Sequence, residues 1–233
     1  MSHLFLISLT IISGLLVIYH HLGYPLILRW FDKKNPQNAT PNATRKYQQS
    51  PSDQQLPKVA VVVPAYNEAQ WIAEKIRNLA SLDYPAQRLQ VVIACDGCSD
   101  NTYNIACATA NEPECQDLEI TIHNFIENRG KVAVLNEQIA QLNCDLVALS
   151  DTSALLSIDA LLLATFRFKD PKVGVLNGHY QLQTAGSEGE QAYWHYQSKI
   201  KRSEATTELY TWRSRSLLCI SSPLIYTSSQ RYD

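Results

Sequence analysis

The feature that most constrains the fold is an alternation of strand and helix patterns that begins at Lys58. The run "KVAVVV" is continuous and rich in β-branched residues, which is typical of a parallel strand covered on both faces. Similar apolar runs recur along the chain, with helical patterns between them. The predicted strands span 58–63, 89–95, 118–125, 145–150 and 172–183. This alternation predicts an α/β fold with a doubly wound, mostly parallel sheet.

The segments between the predicted strands carry helix signals. Asn67 is a candidate N-cap for a helix that ends near Ala80, and Ser99 or Asp100 is a candidate N-cap for the next helix. Further helical patterns cover 131–142, 158–168 and 187–211. Each predicted strand is therefore followed by a helix, as a doubly wound sheet requires.

Polar, turn-forming clusters follow four of the predicted strands. They lie at 64–68, 95–100, 126–131 and 150–153. In doubly wound sheets, ligands bind beyond the carboxyl ends of the strands, near the point where the strand order reverses. Any one cluster is explained by an ordinary turn. Four clusters at one sheet edge, with Lys131, Asp96 and Asp151 among their residues, predict a binding site.

Three residues of these clusters have chemistry of their own, and the residues alone leave each interpretation open. Lys131 opens a helix, where its ammonium group and the helix amides suit a diphosphate, or it is an exposed surface lysine. Asp96 can accept from a base N–H or a ribose hydroxyl, or it stabilises its Asp-Gly turn. Asp151 can hold Mg²⁺ or Mn²⁺, or it caps a helix or closes a turn.

Missing motifs and a balanced charge disfavour several other functions. The chain has no G-x-G-x-x-G after its first strand, no phosphate-loop motif and no G-x-S-x-G elbow. Its net charge of −2 gives no reason to expect a nucleic-acid partner. The pair in "CDGC" lacks a second pair or histidines at ligand spacing, so we interpret the six cysteines as cytoplasmic thiols.

An uncharged apolar stretch precedes the globular part. From Ser2 to Leu28 there is no Lys, Arg, Asp or Glu, and the stretch is long enough to cross about 30 Å of hydrocarbon. A signal peptide would need a basic start and a small-residue cleavage site, and a buried core helix of this length would have a polar face. We therefore predict one N-terminal transmembrane helix over 1–30, with a kink or an early end near Pro25.

Charge and composition divide the rest of the chain. Arg29, Lys33 and Lys34 follow the predicted span, so the positive-inside rule places the globular domain in the cytoplasm. Residues 31–57 have the polar, proline-containing composition of a linker. The predicted globular domain covers 58–212. The last stretch, 213–233, has no Gly or Ala and six serines, and we interpret it as an atypical tail.

Four blocks, in this order and spacing, resemble the family 2 glycosyltransferases that make cellulose, hyaluronan and poly-N-acetylglucosamine. They are "VAVVVPAYNEAQWIAEKIRNL", "VVIACDGCSDNT", "ENRGKVAVLNEQI" and "ALSDTSALLSIDAL". The resemblance covers roughly 58–205. It implies a GT-A fold that binds a nucleotide-diphosphate sugar, usually a UDP-sugar, for inverting transfer to an acceptor hydroxyl, with Mg²⁺ or Mn²⁺ as cofactor.

The resemblance also implies roles for individual residues. Asp96 would contact the uracil or ribose, and Lys131, with Asn128 and Arg129, would lie near the nucleotide or diphosphate. Asp151 would be the metal-binding first aspartate of the family's D-x-D motif. The substrate-binding residues implied in this way are Ala65, Tyr66, Glu68, Asp96, Asn128, Arg129, Lys131, Asp151 and Ser153.

The first departure from the family pattern concerns the cation. Ser153 stands where the second aspartate of D-x-D is usual, and a serine hydroxyl brings no charge to a metal ion. A divalent cation held by Asp151, substrate phosphates and water is still possible. Weaker cation binding is therefore expected.

The second departure concerns the catalytic base. The family carries an aspartate with this role in a later segment, and no residue of this chain matches it. Asp233 is the last residue and a poor candidate, so we expect the base beyond Asp233 and assign no catalytic residue. We expect a truncated or frameshifted tail and impaired transfer. The alternatives are a non-catalytic nucleotide-sugar-binding or scaffold subunit with a membrane protein partner, and a fragment that does not fold stably.

Overall fold

The computed structural model describes residues 2–34, 51–169, 173–178 and 218–221, together with five helical positions between 189 and 200. The chain divides into two compact units. One comprises 1–43 and 180–213, and the other comprises 44–179 and 214–233. The five helical positions lie within the predicted helix at 187–211, whose other residues are outside the described part.

The first unit contains an N-terminal helix in three parts. Helix α1 (Ser2–Ile18) passes through a π-helical turn (Tyr19–Gly23) into helix α2 (Tyr24–Lys34). Within it, 28 residues from His3 to Trp30 are long and apolar enough to cross a membrane. Of the predicted kink or early end, the early end is wrong, because the helix continues past Pro25 to Lys34. Pro25 has no N–H to donate to the helix, and a π-helical turn lies just before it. In this turn the Tyr24 N–H donates to the carbonyl of Tyr19, five residues earlier, where an α-helix would use the carbonyl four residues earlier.

The second unit is built on a sheet with six strands in the described residues. Four strands are parallel and follow the predicted runs: β1 (Val59–Ala65), β2 (Leu89–Asp96), β3 (Glu119–Phe125) and β4 (Leu146–Leu149). Two short strands, β5 (Val175–Asn177) and β6 (Leu218–Ser221), complete it. The order is β3-β2-β1-β4-β6-β5, with β6 antiparallel to β4 and β5. The predicted mostly parallel α/β sheet is confirmed.

Four helices connect these strands. They are α3 (Ile72–Ala80), α4 (Thr102–Ala110), α5 (Lys131–Gln141) and α6 (Ala160–Arg167). The sequence order of the strands runs outward from β1 to β3 and then resumes with β4 on the other side of β1. The strand order therefore reverses between β1 and β4, which is where a doubly wound sheet opens a crevice for ligands.

The core explains why the strand runs are continuously apolar. Val61 and Val63 of β1 face a large cluster with Ile72 and Ile76 of α3, whereas Val62 faces a smaller cluster. The smaller cluster is covered by apolar residues of α5. A strand with helices on both faces buries every side chain, so no alternation with polar residues is required.

Two local predictions need correction or refinement. Asn67 does not cap α3, which begins at Ile72 with no side-chain cap. Its backbone is left-handed (φ 54°), and its side-chain carbonyl accepts from the amides of Ser99 (2.8 Å) and Asp100 (3.3 Å) instead. The predicted cap of α4 is also wrong, because the N-cap is Asn101, which makes no side-chain cap bond. Asp100 lies one residue earlier, where its carboxylate accepts from the Thr102 amide at 3.0 Å.

The atypical stretch 213–233 contains β6, whose backbone pairs with β4 from Leu146 to Leu149. The remaining positions of that stretch, Asp233 among them, lie outside the described residues, as do positions 179–183 of the predicted fifth strand. The domain boundaries at 30, 57 and 212 remain predictions.

Candidate functional site

An open cleft of about 470 Å³ lies at the carboxyl ends of β1, β2 and β4. Eight of the nine predicted substrate-binding residues line it, and Arg129 does not. The lining residues are Pro64, Ala65, Tyr66, Glu68, Asp96, Asn128, Gly130, Lys131, Asp151, Thr152 and Ser153. Loops from four separate parts of the chain thus converge, as the positions of the polar clusters predicted. Pro64, Gly130 and Thr152 were missed, although each is a chain neighbour of a predicted residue.

The structure does not test the expectation about the catalytic base. Asp233, beyond which the base is expected, lies outside the described residues. The location of the base therefore stays a prediction, and no catalytic residue is assigned within the cleft.

Asp96 organises the loop between β3 and α5. Its side chain is buried, and both of its carboxylate oxygens accept from the Arg129 amide at 3.1 Å. One of these oxygens also accepts from the Gly130 amide at 2.8 Å. A carboxylate has about four lone-pair positions, so these bonds leave capacity for a further donor on the cleft side. The structure therefore gives Asp96 a loop-holding role that the sequence did not reveal.

Gly97 allows this loop to approach the end of β2. Its backbone is left-handed (φ +66°), and a Cβ there would lie 2.4 Å from the backbone nitrogen of Asn128. No L-residue fits without moving the loop. The Asp-Gly turn thus has a steric reason as well as a conformational one.

Lys131 and Asp151 form an ion pair across the cleft. Lys131 is the first residue of α5, and its side chain is 57% exposed, whereas that of Asp151 is 23% exposed. An anionic ligand can take the place of the Asp151 carboxylate beside Lys131 and the helix N-terminus. A divalent cation can likewise take the place of the Lys131 ammonium group beside Asp151. The lysine predicted to lie near the nucleotide or diphosphate and the aspartate predicted to hold the metal ion are therefore in direct contact.

The loop after β1 contributes Tyr66 and Glu68. The Tyr66 side chain is about half exposed, so its ring is available to a ligand. Burial raises the pKa of the Glu68 carboxyl above its ordinary value, and the negative charges of Asp151 and Asp100 raise it further. The Glu68 amide donates to the Thr102 hydroxyl at 2.9 Å, which ties this loop to the start of α4.

Arg129 is directed away from the cleft lining. Its guanidinium lies 3.9 Å from the centre of the Phe125 ring and pairs with Glu137. Its Nε lies 3.8 Å from an Asp96 oxygen. The side chain therefore braces the loop from outside, and only its amide reaches toward the site.

Lys75 of α3 is a residue that sequence reasoning missed. Its side chain is fully buried behind the loop that follows β4, where its ammonium group donates to Ser150 Oγ (2.7 Å) and the Ala154 carbonyl (2.5 Å). Burial lowers its pKa to about 7, and attraction to Asp151 partly opposes that shift. The only available signal was a lysine on the buried face of a helix whose other buried residues are all apolar.

The oxygen ligands in the cleft fit a divalent cation that is shared with a phosphate. Asp151 supplies a carboxylate, and the exposed Ser153 adds a neutral hydroxyl. Within the described residues, no group of three or more His, Cys, Asp or Glu side chains could hold a metal ion. Mg²⁺ and Mn²⁺ bound with substrate phosphates need only one or two protein carboxylates, so the donor set fits this kind of site.

Comparison with known proteins identifies the family. The family described as "Glycosyltransferase like family 2" matches residues 57–222, which is most of the chain and includes every strand of the sheet. The chain belongs to this glycosyltransferase family. The resemblance found in the sequence motifs is confirmed.

Two curated relatives illustrate the similarity. The chain is 28% identical over 163 residues to a beta-monoglucosyldiacylglycerol synthase of Trichormus variabilis, covering 70% of this chain and 33% of the relative. It is 27% identical over 136 residues to a poly-beta-1,6-N-acetyl-D-glucosamine synthase of Staphylococcus epidermidis, covering 58% and 31%. The chain therefore spans about a third of the length of these relatives.

A solved structure supports the fold. The mannosyltransferase PcManGT from Pyrobaculum calidifontis, in complex with GDP-Man and Mn²⁺, matches with a TM-score of 0.69 and 24% identity. The match covers 92% of this chain and 56% of the mannosyltransferase. The predicted GT-A fold is confirmed by this likeness.

Proposed function

We propose that this family 2 domain binds a nucleotide-diphosphate sugar, a UDP-sugar in particular, in the cleft at the ends of β1, β2 and β4. The observation that carries the proposal is the Lys131–Asp151 ion pair at the point where the strand order reverses. There an ammonium group, a helix N-terminus and a carboxylate converge beside an exposed aromatic ring. These are the groups that a diphosphate with its cation and a stacked base require.

The nucleoside would occupy the side of the cleft that Ala65, Tyr66 and Asp96 line. The half-exposed Tyr66 ring offers a stacking surface for a base. Asp96 is already an acceptor for two loop amides, so its remaining lone pair would accept from the uracil N–H or a ribose hydroxyl. Glu68 and Asn128 would complete this side.

The diphosphate would lie between Lys131 and Asp151. Lys131 would exchange its contact with Asp151 for one with the phosphates, and the amides at the start of α5 would add hydrogen bonds. Asp151, with Ser153 beside it, would then hold Mg²⁺ or Mn²⁺. Bound there, the cation would stabilise the charge that develops on the departing diphosphate. PcManGT, which shares the fold, is in complex with a sugar nucleotide and Mn²⁺.

The acceptor hydroxyl would attack the anomeric carbon with inversion, as the resemblance implies. The sequence contains no residue that matches the family's catalytic base, which we expect beyond Asp233. We therefore expect residues 1–233 alone to bind the donor more readily than they transfer sugar from it. In this proposal the chain supplies the donor-binding part of the reaction.

We propose further that the helix from His3 to Trp30 anchors the domain in a membrane. The helix is long and apolar enough for one span. Arg29, Lys33 and Lys34 follow it, so the positive-inside rule places the donor domain in the cytoplasm, where nucleotide sugars are available. Protease protection in sealed vesicles tests this orientation: the globular domain should be digested from the cytoplasmic side only.

The decisive experiment is calorimetric titration of the full chain with UDP and with GDP, each with and without Mn²⁺. UDP should bind, and Mn²⁺ should strengthen the binding in wild type but not in Asp151→Ala. Release of UDP from UDP-glucose and UDP-N-acetylglucosamine then measures turnover. Binding without turnover is the expected result, and it leaves a non-catalytic subunit as the alternative to impaired transfer. A protein that binds neither nucleotide contradicts the proposed function.

A further inference from the structure

Lys75 stands out because its ammonium group is buried among apolar residues of α3. Its side chain is 0% exposed, and no ion pair in the described part of the chain includes it. Removing an ammonium group from water is costly, and burial lowers the pKa of Lys75 to about 7. A methionine or leucine would fill the same volume at lower cost, so core packing alone does not explain a lysine here.

The two acceptors of Lys75 bracket the loop that carries the cleft residues. Ser150 Oγ lies directly before Asp151, and the Ala154 carbonyl lies directly after Ser153. Hydrogen bonds from a charged donor are stronger than those between neutral groups. One ammonium group therefore ties both ends of a short loop to α3.

The other side of this loop is tied to β1 by weaker contacts. The Ser150 amide donates to the Val62 carbonyl at 3.1 Å, and the Thr152 hydroxyl donates to the Pro64 carbonyl at 3.3 Å. These contacts define one face of the loop. Lys75 defines the opposite face, so it decides how far the loop extends into the cleft.

We propose that Lys75 is a positioning residue for the donor site, whose buried ammonium group holds residues 150–154 so that Asp151 and Ser153 face the diphosphate and its cation. This proposal rests on the proposed function, because it assigns the loop a ligand. Lys75 does not line the cleft and acts only through the loop. Substitution of Lys75 should therefore weaken the binding of the diphosphate and leave the binding of the nucleoside unchanged.

Asn78, one turn further along α3, provides a matched control. Its side chain donates to the Leu156 carbonyl and accepts from the Leu156 amide, both at 2.9 Å. Like Lys75, it is a polar residue of α3 that makes two hydrogen bonds to the segment after β4. Its contacts, however, lie beyond the residues that line the cleft. Loss of Asn78 should therefore destabilise the fold without changing the diphosphate end of the site.

The test compares Lys75→Met, Asn78→Leu and wild type by calorimetric titration with UDP and with UMP in the presence of Mn²⁺. Lys75→Met should weaken UDP binding about tenfold and UMP binding less than about twofold. Asn78→Leu should leave both affinities within about twofold. In an Asp151→Ala background, Lys75→Met should have an effect of less than about twofold, because the loop has lost its carboxylate and keeps only the neutral Ser153 hydroxyl.

Two additional measurements keep the proposal testable if Lys75→Met does not fold. Ser150→Ala removes one acceptor of the ammonium group and should weaken UDP binding about threefold without loss of the fold. Hydrogen exchange without nucleotide should increase at the amides of 150–154 in Ser150→Ala and in Lys75→Met, but not in Asn78→Leu.

The outcomes separate this proposal from the proposed function. If wild type binds UDP and both Lys75→Met and Ser150→Ala bind it equally well, Lys75 is not a positioning residue, and the proposed function stands. If Lys75→Met and Asn78→Leu weaken UDP and UMP to the same extent, the role of Lys75 is structural only. If wild type binds no nucleotide, the proposed function fails and the donor-site role of Lys75 fails with it, whatever the exchange data show.

Discussion

The Asp96 carboxylate and the Gly130 amide are joined by a 2.8 Å hydrogen bond that connects the end of β2 to the start of α5. The Arg129 amide adds a second donor to the same carboxylate. One buried side chain therefore holds two amides that lie 33 and 34 residues further along the chain. The position of Lys131, the next residue, depends on this contact.

Asp96→Asn is expected to disturb the loop more than its small change in size suggests. The asparagine side chain would place an NH2 group where one carboxylate oxygen now accepts. At least one of the Arg129 and Gly130 amides would then face a donor and lose its hydrogen bond. We expect a loss of about 1–3 kcal/mol in the free energy of unfolding and about a tenfold loss of UDP affinity, worth about 1.4 kcal/mol. Urea unfolding and calorimetry measure the two effects. Asp117→Asn, at an exposed aspartate, is the control, and equal behaviour of the two variants would contradict the loop-holding role.

Lys131→Met is expected to affect the diphosphate and not the nucleoside. The variant removes the cation that pairs with Asp151 and keeps the apolar stem of the side chain. UDP affinity should fall about tenfold or more, in keeping with the loss of a charge-assisted hydrogen bond, whereas uridine binding should not change. Competition titrations with the two ligands make this comparison. The exposed Lys169→Met serves as the control variant. A parallel loss of uridine binding would place Lys131 elsewhere in the site.

Gly97→Ala is expected to be more harmful than Gly130→Ala. Both glycines have positive φ, so a Cβ strains either backbone by about 1–3 kcal/mol. At Gly97 the Cβ would also lie 2.4 Å from the Asn128 nitrogen and 2.8 Å from its Cα, whereas at Gly130 nothing lies within 4 Å. Thermal unfolding of the two variants isolates the steric contribution. Equal melting temperatures would mean that the loop moves away freely.

The sheet and the location of the cleft could be predicted from the sequence because each depends on a simple pattern. Runs such as that of β1 are apolar on both faces only when helices cover both faces. The carboxyl ends of parallel strands meet at one edge, so the polar clusters after them had to converge. Glu68 and Asp151 were assigned to one site on this basis, although they are far apart in sequence.

The direction of individual side chains could not be predicted in the same way. Arg129 follows a strand end like its neighbours, but an aromatic ring and Glu137 draw its guanidinium out of the cleft. Asparagine is a preferred N-cap residue, yet the left-handed backbone of Asn67 turns its side chain toward Ser99 in the loop after β2. The burial of Lys75 could not be predicted, because an ammonium group is buried only where acceptors meet it, and its acceptors lie 75 and 79 residues away in the sequence.

The buried Lys75 also predicts how stability depends on pH. Its pKa is about 7 in the folded chain, against the ordinary value of 10.5, so between these values the unfolded chain binds more protons than the folded chain. The free energy of unfolding therefore increases with pH above about 7, by at most about 1.4 kcal/mol per pH unit. Below about pH 7, both states are protonated at this residue, and its contribution is constant.

The measurement is urea unfolding between about pH 6 and 8.5. This range lies below the raised pKa values of Cys95 and Tyr84 in the folded chain, and near or below the ordinary values of these groups. Those two acids would lower stability at higher pH, because burial raises the pKa of each group in the folded chain. Wild type should gain stability across the upper half of the range, and Lys75→Met should show a flatter profile there. Asn78→Leu should retain the wild-type slope at lower overall stability. A wild-type profile that is flat or falls above pH 7 would mean that the Lys75 ammonium remains protonated in the folded chain, held by its two loop acceptors and the negative charge of Asp151.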